Sequence, residues 1–169
     1  MSYRYIGGAD GPTSVFLAGK LGMNWLNVFG LILVIFLLIP NIIYAVKFRD
    51  ARNLCKNKAM NVLEQIGRYG SMFLMVFNVG VAEFGFASSE VFVVYFLGSI
   101  ALMLAYWIVW IFFFARQSMW NRITLAIIPT LLFLLSGCTL RHILLIITAI
   151  IFGIGHIYVT YMNTKLSEE

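Results

Sequence analysis

VFVVYFLGSIALMLAYWIVWIFFF, residues 91–114, decides the fold, because these 24 consecutive residues contain no charged side chain. About 20 apolar residues in an α-helix span the roughly 30 Å hydrocarbon core of a bilayer. The stretch therefore predicts a transmembrane helix.

The rest of the chain has the same character. Of its 169 residues, 62% are hydrophobic and 11% are charged, and the mean hydropathy is +0.92. A soluble domain is about a quarter charged, and a fold of this size cannot hide so much apolar surface from water. We predict an all-α integral membrane protein with about five transmembrane helices, at about 23–46, 69–87, 91–114, 121–140 and 142–161.

These spans form one helical bundle, 23–163, between two different segments. The segment 1–22 is Gly-rich and contains a short half-helix from about Asp10, for which a re-entrant arrangement is one interpretation. The segment 164–169 is a polar tail. The amphipathic stretch 59–70 is either an interfacial helix or the approach to the second span.

Small residues and aromatic residues suggest how the helices pack. Contacts between helices are expected at Ala101 with Ala105, or at Gly153 and Gly155, because small side chains let backbones approach closely. The aromatic cluster before Arg116 is typical of an interfacial belt. Its members are Tyr106, Trp107, Trp110, Phe112, Phe113 and Phe114.

The net charge of +5 is distributed unevenly. Nine of the twelve Lys and Arg residues fall in the first loop, the third loop and the tail. The positive-inside rule then predicts the N-terminus outside and the C-terminus inside. Because the basic residues flank apolar spans, the lipid bilayer is the expected partner and nucleic acid is not. A membrane protein partner is the expectation if the chain is an accessory subunit.

No pattern in the chain indicates an enzyme. Neither a Walker loop, an HExxH sequence nor a Ser/His/Asp set is present. Cys55 and Cys138 lack the spacing of a metal or redox site, and the predicted topology places them on opposite sides of the membrane. We expect no cofactor.

Ionisable groups within the spans are candidates for function, since each costs about 2.5 kcal/mol or more near the bilayer centre. Glu83 is either an ion or proton site or an outer partner of Arg141 or His142. His156 is either a proton relay or substrate ligand, or a neutral histidine that donates to a backbone carbonyl; the second role is the commoner one.

Two amides complete the intramembrane polar candidates. Asn78 is expected near the middle of the second span, where its side chain would bond across helices. Asn41 follows Pro40, whose kink frees a backbone carbonyl beside the amide.

The N-terminal stretch IGGADGPTSVFLAGKL, residues 6–21, resembles the signature segment of the β subunit of sodium-translocating decarboxylases. The resemblance implies a broken-helix region whose aspartate, here Asp10, serves sodium transport. It also implies cation binding by Thr13, Gly8 and Gly11. Glycines allow close backbone approach, and carboxylate, hydroxyl and freed carbonyl oxygens suit a small cation.

The match covers about a tenth of the chain, and the β subunit is far longer. The remainder resembles only uncharacterised short bacterial membrane proteins, so the chain is not that subunit. Asp10 either coordinates sodium or belongs to a structural helix-start element. We therefore expect a small sodium- or cation-linked transport protein of the bacterial cytoplasmic membrane. The alternative is a non-catalytic accessory or assembly subunit.

Overall fold

The computed structural model describes residues 25–49, 53–79 and 85–168. Within these ranges the chain forms five α-helices and no strand, apart from an isolated antiparallel bridge between Leu26 and Phe77. The helices are α1 (Val28–Lys47), α2 (Lys58–Val76), α3 (Ser89–Ala115), α4 (Met119–Thr139) and α5 (Ile143–Glu168). The predicted all-α class is confirmed.

The helices alternate in direction, so each end of the bundle collects helix termini. At one end, the N–H groups of Leu54 and Cys55, which precede α2, each donate to the Asn163 side chain of α5 at 2.8 Å. At the other end, the Asn27 N–H donates to the Val76 carbonyl at 2.8 Å and joins the start of α1 to the end of α2.

We call these the basic end and the far end. The basic end holds most of the cationic residues that the structure describes, namely Lys47, Arg49, Lys56, Lys58, Arg116, Arg122 and Lys165. The far end holds Arg141, in the turn between α4 and α5.

Four helices, α1, α3, α4 and α5, are long and apolar enough to cross a membrane. The helix α2 has 19 residues but includes Lys58, Glu64 and Arg68, and it lacks that apolarity. The sequence predicts about five spans. Among the described residues, four helices are apolar enough to cross a membrane, and the fifth helix is more polar. The chain is a membrane-embedded helical protein.

The second helix differs most from its prediction. It runs Lys58–Val76, whereas the sequence predicts the span at 69–87, after an amphipathic stretch that is either an interfacial helix or the approach to that span. The helix begins early because the Asn57 side chain accepts from the Met60 N–H at 3.2 Å and caps it. It ends early because the chain becomes extended at Phe77 and pairs with Leu26. The amphipathic stretch and the start of the expected span are therefore one helix.

Two further boundaries differ. The described part of α1 begins at Val28 rather than near residue 23, because Asn27 caps it by accepting from the Gly30 N–H at 3.0 Å. The segment 164–169, expected to be a polar tail, is helical as far as Glu168. Its first residue, Thr164, is buried and donates to the Thr160 carbonyl at 2.8 Å, so the helix continues with its polar group satisfied.

The helices α2 and α5 pack backbone to backbone. A Cβ atom on Gly67 would lie 2.4 Å from the Phe152 nitrogen, and one on Gly155 would lie 2.6 Å from the Glu64 nitrogen. Gly153 faces the side chain of Thr130 in α4, whose Cγ2 atom would lie 2.6 Å from a Cβ atom on the glycine. The expected contact role of Gly153 and Gly155 is observed. Of the other expected pair, Ala101 is exposed, whereas Ala105 is partly buried against the core.

The aromatic cluster of α3 is divided between core and surface. Tyr106, Trp110 and Phe113 are buried, and the Trp110 and Phe113 rings lie 5.7 Å and 5.6 Å from the Tyr44 ring of α1. Trp107 and Phe112 are exposed. The prediction of an interfacial belt is therefore wrong for the buried members, because one face of α3 packs against α1.

Candidate ionisable site within the bundle

Glu64 lies on the face of α2 that packs against α5, and only 8% of the residue is exposed. Arg68 follows one turn later and forms an ion pair with the Glu64 Oε1 atom through its Nη2 atom. Residues four apart share one face of a helix, so this pair is a direct result of the sequence spacing. The glycine contacts of α2 then bring the pair against α5.

His156 supplies the partner from α5. Its Nδ1 atom lies 2.8 Å from Glu64 Oε1 and 3.4 Å from Arg68 Nη2. A neutral imidazole that donates to this carboxylate carries its proton on Nδ1, which leaves a lone pair on Nε2. The His156 ring also stacks on Phe152, with centroids 4.7 Å apart and planes 17° from parallel. The ring is thereby fixed beside the carboxylate.

Two other helices contribute polar groups next to this cluster. The Asn41 Nδ2 atom of α1 donates to the Tyr106 hydroxyl of α3 at 2.7 Å and to the Leu37 carbonyl at 2.7 Å. Tyr106 is 2% exposed and lies within electrostatic range of the Arg68 guanidinium. We call Asn41, Glu64, Arg68, Tyr106 and His156 the polar layer.

The polar layer is close to neutral as it stands. One carboxylate balances one guanidinium, while the imidazole carries no charge in its neutral form. Pairing matters because an isolated ion in an apolar interior costs several kcal/mol, and removal of one partner exposes the other to that cost. The layer is therefore most stable when its net charge is zero. Uptake of one monovalent cation would raise that net charge by one unit.

In the described part of the chain, no group of three or more His, Cys, Asp or Glu side chains is arranged to hold a metal ion.

The predicted site residues have different outcomes. Asn41 and His156 lie in the polar layer, although the partner of His156 is a carboxylate rather than the expected backbone carbonyl. Asn78 lies beyond α2, at the far end, and not in the middle of a helix; its N–H donates to the Trp25 carbonyl at 2.9 Å. Glu83 lies outside the described residues.

The N-terminal motif also lies outside the described residues. Asp10, Thr13, Gly8 and Gly11 all belong to it. The cation site that the resemblance implies thus stays a prediction.

Arg141 and His142 form the turn between α4 and α5. Arg141 is exposed and has a positive φ of 56°. The buried His142 caps α5, because its Nδ1 atom accepts from the Leu145 N–H at 3.3 Å. Burial lowers the pKa of His142 below its ordinary value, against hydrogen bonds to backbone groups that favour the charged ring. Both residues therefore belong to the turn at the far end of the bundle.

Sequence reasoning missed Glu64 and Arg68, which carry most of the site. In the sequence alone, Arg68 counts among the first-loop cations that set orientation, and Glu64 belongs to an amphipathic stretch. The sequence does contain a signal for this pair: Glu64 and Arg68 are four residues apart in one helical pattern, next to Gly67.

Comparison with known protein families found no matching family model, and comparisons with curated proteins and with solved structures found no match either. The fold and the polar layer therefore define the class by themselves: a multi-pass α-helical membrane protein with an ionisable cluster inside its bundle.

Proposed function

We propose that this chain is a cation-linked membrane transport protein and that the polar layer is the place where its charge changes. The observation that carries the proposal is the buried Glu64 carboxylate, held between Arg68 and His156 where α2 packs against α5. Proton relays and ion pathways of transporters are built from such intramembrane Asp, Glu and His groups.

A purely structural link between α2 and α5 would not need these groups. The glycine contacts at Gly67 and Gly155 already join the helices closely. Well-packed apolar residues generally stabilise as much as a buried ion pair, or more. The retained charge is therefore better explained by a functional demand than by packing.

The N-terminal motif supports the same function independently. Its resemblance to a sodium-translocating subunit makes Asp10 a second candidate for a cation site, with Na⁺ as the ion. The bacterial cytoplasmic membrane is the location that this resemblance favours. The cationic residues of the basic end favour an orientation with that end, and the C-terminus, inside. Labelling of single cysteines near Glu90 and Lys165 with an impermeant thiol reagent in intact cells tests it: only the site near Glu90 is expected to react.

A second candidate function is an accessory subunit. An apolar groove of about 670 Å³ runs along α5 between α4 and the start of α2. Its lining carries no charged side chain and includes Met60, Leu134, Gly153, Ile154 and Tyr158. Such a groove suits a neighbouring membrane helix, which favours a partner-binding role.

Ion flux into proteoliposomes separates the two functions. The purified chain is reconstituted, a membrane potential is imposed with potassium and valinomycin, and H⁺ and Na⁺ uptake are followed with a pH-sensitive dye and a radioactive tracer. We expect uptake of one ion, lost in Glu64→Gln. Glu90→Gln is the control, because Glu90 is an exposed carboxylate in the first turn of α3.

Asp10→Asn tests the motif in the same assay. Loss of sodium uptake in this variant would place a sodium site in the N-terminal segment. Absence of H⁺ and Na⁺ uptake by the wild-type protein would contradict the transport proposal and leave the accessory role.

A further inference from the structure

We propose that the ion exchanged at the polar layer is a proton, taken up by His156 and Glu64 together, and that Na⁺ does not bind there. This inference rests on the proposed function and names its coupling ion. It separates the polar layer from the N-terminal motif, for which sodium is the implied ion.

The contacts of Glu64 are unsuitable for a metal cation. Its Oε1 atom already faces two nitrogen atoms, His156 Nδ1 at 2.8 Å and Arg68 Nη2 of the ion pair. Hard cations take several oxygen ligands at once, whereas these neighbours present N–H groups. The guanidinium also repels any metal cation that approaches the same oxygen.

The backbone of Glu64 and the imidazole that contacts its carboxylate are both closely packed, which favours an ion that needs no shell of ligands. The position of a Cβ atom on Gly155 is only 2.6 Å from the Glu64 nitrogen and 2.8 Å from its Cα atom. The His156 ring, which contacts the Glu64 carboxylate, is stacked on Phe152. A proton needs no such shell, because it adds to a lone pair that is already present.

The proton transfer balances within the layer. An incoming proton binds the lone pair of His156 Nε2, and the proton on Nδ1 passes to Glu64 Oε1 across the 2.8 Å contact. The products are a neutral imidazole with its proton on Nε2 and a neutral carboxylic acid. The charge of the Glu64, Arg68 and His156 group rises by one unit, which remains on Arg68.

Few other ionisable groups face the His156 ring. From α2 these are Glu64 and Arg68. The Tyr106 phenol of α3 interacts electrostatically with Arg68 rather than with the ring. The helix α4 contains no Asp, Glu, Lys or His, and its Arg122 lies in the first turn, at the basic end. The helix α1 contains no Asp, Glu, Arg or His, and its single Lys, Lys47, is its last residue. The titration of the layer thus belongs to Glu64 and His156.

His156→Asn is the variant of choice for the test. An Asn side chain can place an N–H donor near the position of Nδ1 and keep the bond to Glu64, yet it does not titrate. The unfolding temperature of the purified full-length protein is measured in detergent between about pH 5 and about pH 8. Each pH is run in sodium and in potassium salts at one ionic strength, for wild type, His156→Asn and Glu64→Gln.

We expect the difference in unfolding temperature between wild type and His156→Asn to change with pH, and to be the same in sodium and potassium. A sodium-specific stabilisation of the wild type that disappears in Glu64→Gln would overturn the proton assignment and leave cation-linked transport standing. Parallel pH profiles for wild type and His156→Asn would also overturn it. If Glu64→Gln does not fold, the double variant Glu64→Gln/Arg68→Gln replaces it. A sodium-specific stabilisation that is present in His156→Asn and absent from the double variant would likewise overturn the proton assignment.

Discussion

At the scale of single residues, one carboxylate determines the chemistry of the bundle. Glu64 is stable inside because Arg68 and His156 surround it, and each of the three depends on the others. Asn41 and Tyr106 extend the same layer without adding charge. The proposed function and the stability of the bundle therefore involve the same residues, and substitutions there should be compared in matched pairs.

The first prediction concerns the balance between Glu64 and Arg68. Glu64→Gln leaves the guanidinium without its carboxylate and should destabilise the fold by about 3 kcal/mol, at the lower end for buried pairs because the Arg68 side chain is 39% exposed. Glu64→Gln/Arg68→Gln removes both charges and should recover most of that loss. Denaturant unfolding in detergent measures the change. Equal losses in the single and double variants would show that the pair is screened by water.

The second prediction concerns His142 and pH. Burial lowers the pKa of His142, so the folded state binds its proton less readily than the unfolded state, whose ordinary value is 6.5. The stabilisation by the neutral ring is therefore complete above about pH 6.5 and is lost as the pH falls below it towards the folded pKa.

His142→Asn keeps a capping oxygen for the Leu145 N–H but does not titrate. Its unfolding temperature should fall less between about pH 7 and about pH 5 than that of the wild type. An unchanged pH profile in His142→Asn would contradict this role of the neutral His142 ring.

At the scale of helices, α2 and α5 form the pair that positions the site. Gly67 and Gly155 allow their backbones to touch, which sets the register that brings Glu64 to His156. A side chain at either position would push against backbone atoms, which cannot move aside as a side-chain end can.

The third prediction tests this contact. Gly155→Ala should destabilise the fold by about 1–3 kcal/mol, because its Cβ atom would lie 2.6 Å from the Glu64 nitrogen. Gly98→Ala is the matched control: its Cβ atom would meet the flexible end of Leu135 at 2.9 Å, and alanine favours a helix. Thermal unfolding of both variants in one detergent measures the contrast. Equal stability of the two would mean that the register does not depend on Gly155.

The sequence predicts the apolar helices well and the polar one poorly. The uncharged run 91–114 almost coincides with α3, because length and hydropathy alone determine such a span. The sequence pattern places the start of α2 too late, because Lys58, Glu64 and Arg68 interrupt its apolar residues. Glu64 and Arg68 are tolerated there because His156 of α5, which is distant in sequence, contacts both.

The same limit applies to the site. His156 and Asn41 are recognisable as unusual polar residues within apolar spans, whereas their partners follow from the register of packed helices. A helix that looks interfacial in isolation becomes part of the bundle through the glycine contacts. Pairings of this kind cannot be deduced from the composition of one segment.

At the scale of the whole molecule, charge and apolar surface are arranged along one axis. The cationic residues gather at the basic end, while the outward faces of the helices are apolar. The helix α2 follows this arrangement despite its polar residues, since its outward face exposes Val62, Ile66, Tyr69 and Phe73. This stripe indicates that α2 contacts lipid alongside α5.

The most direct test of an ion site within the membrane is therefore whether α2 lies inside the bilayer. A spin label is attached to Ile66→Cys in vesicles, in a background with Cys55→Ala and Cys138→Ala, and its accessibility to oxygen and to a polar nickel reagent is compared. Ile154→Cys on α5 is the lipid control, because Ile66 and Ile154 are 58% and 59% exposed; Lys58→Cys at the basic end is the aqueous control. We predict that residue 66 matches residue 154, with high oxygen and low nickel accessibility. A label at residue 66 that matches residue 58 would place Glu64 and His156 beside water and contradict an ion site within the membrane.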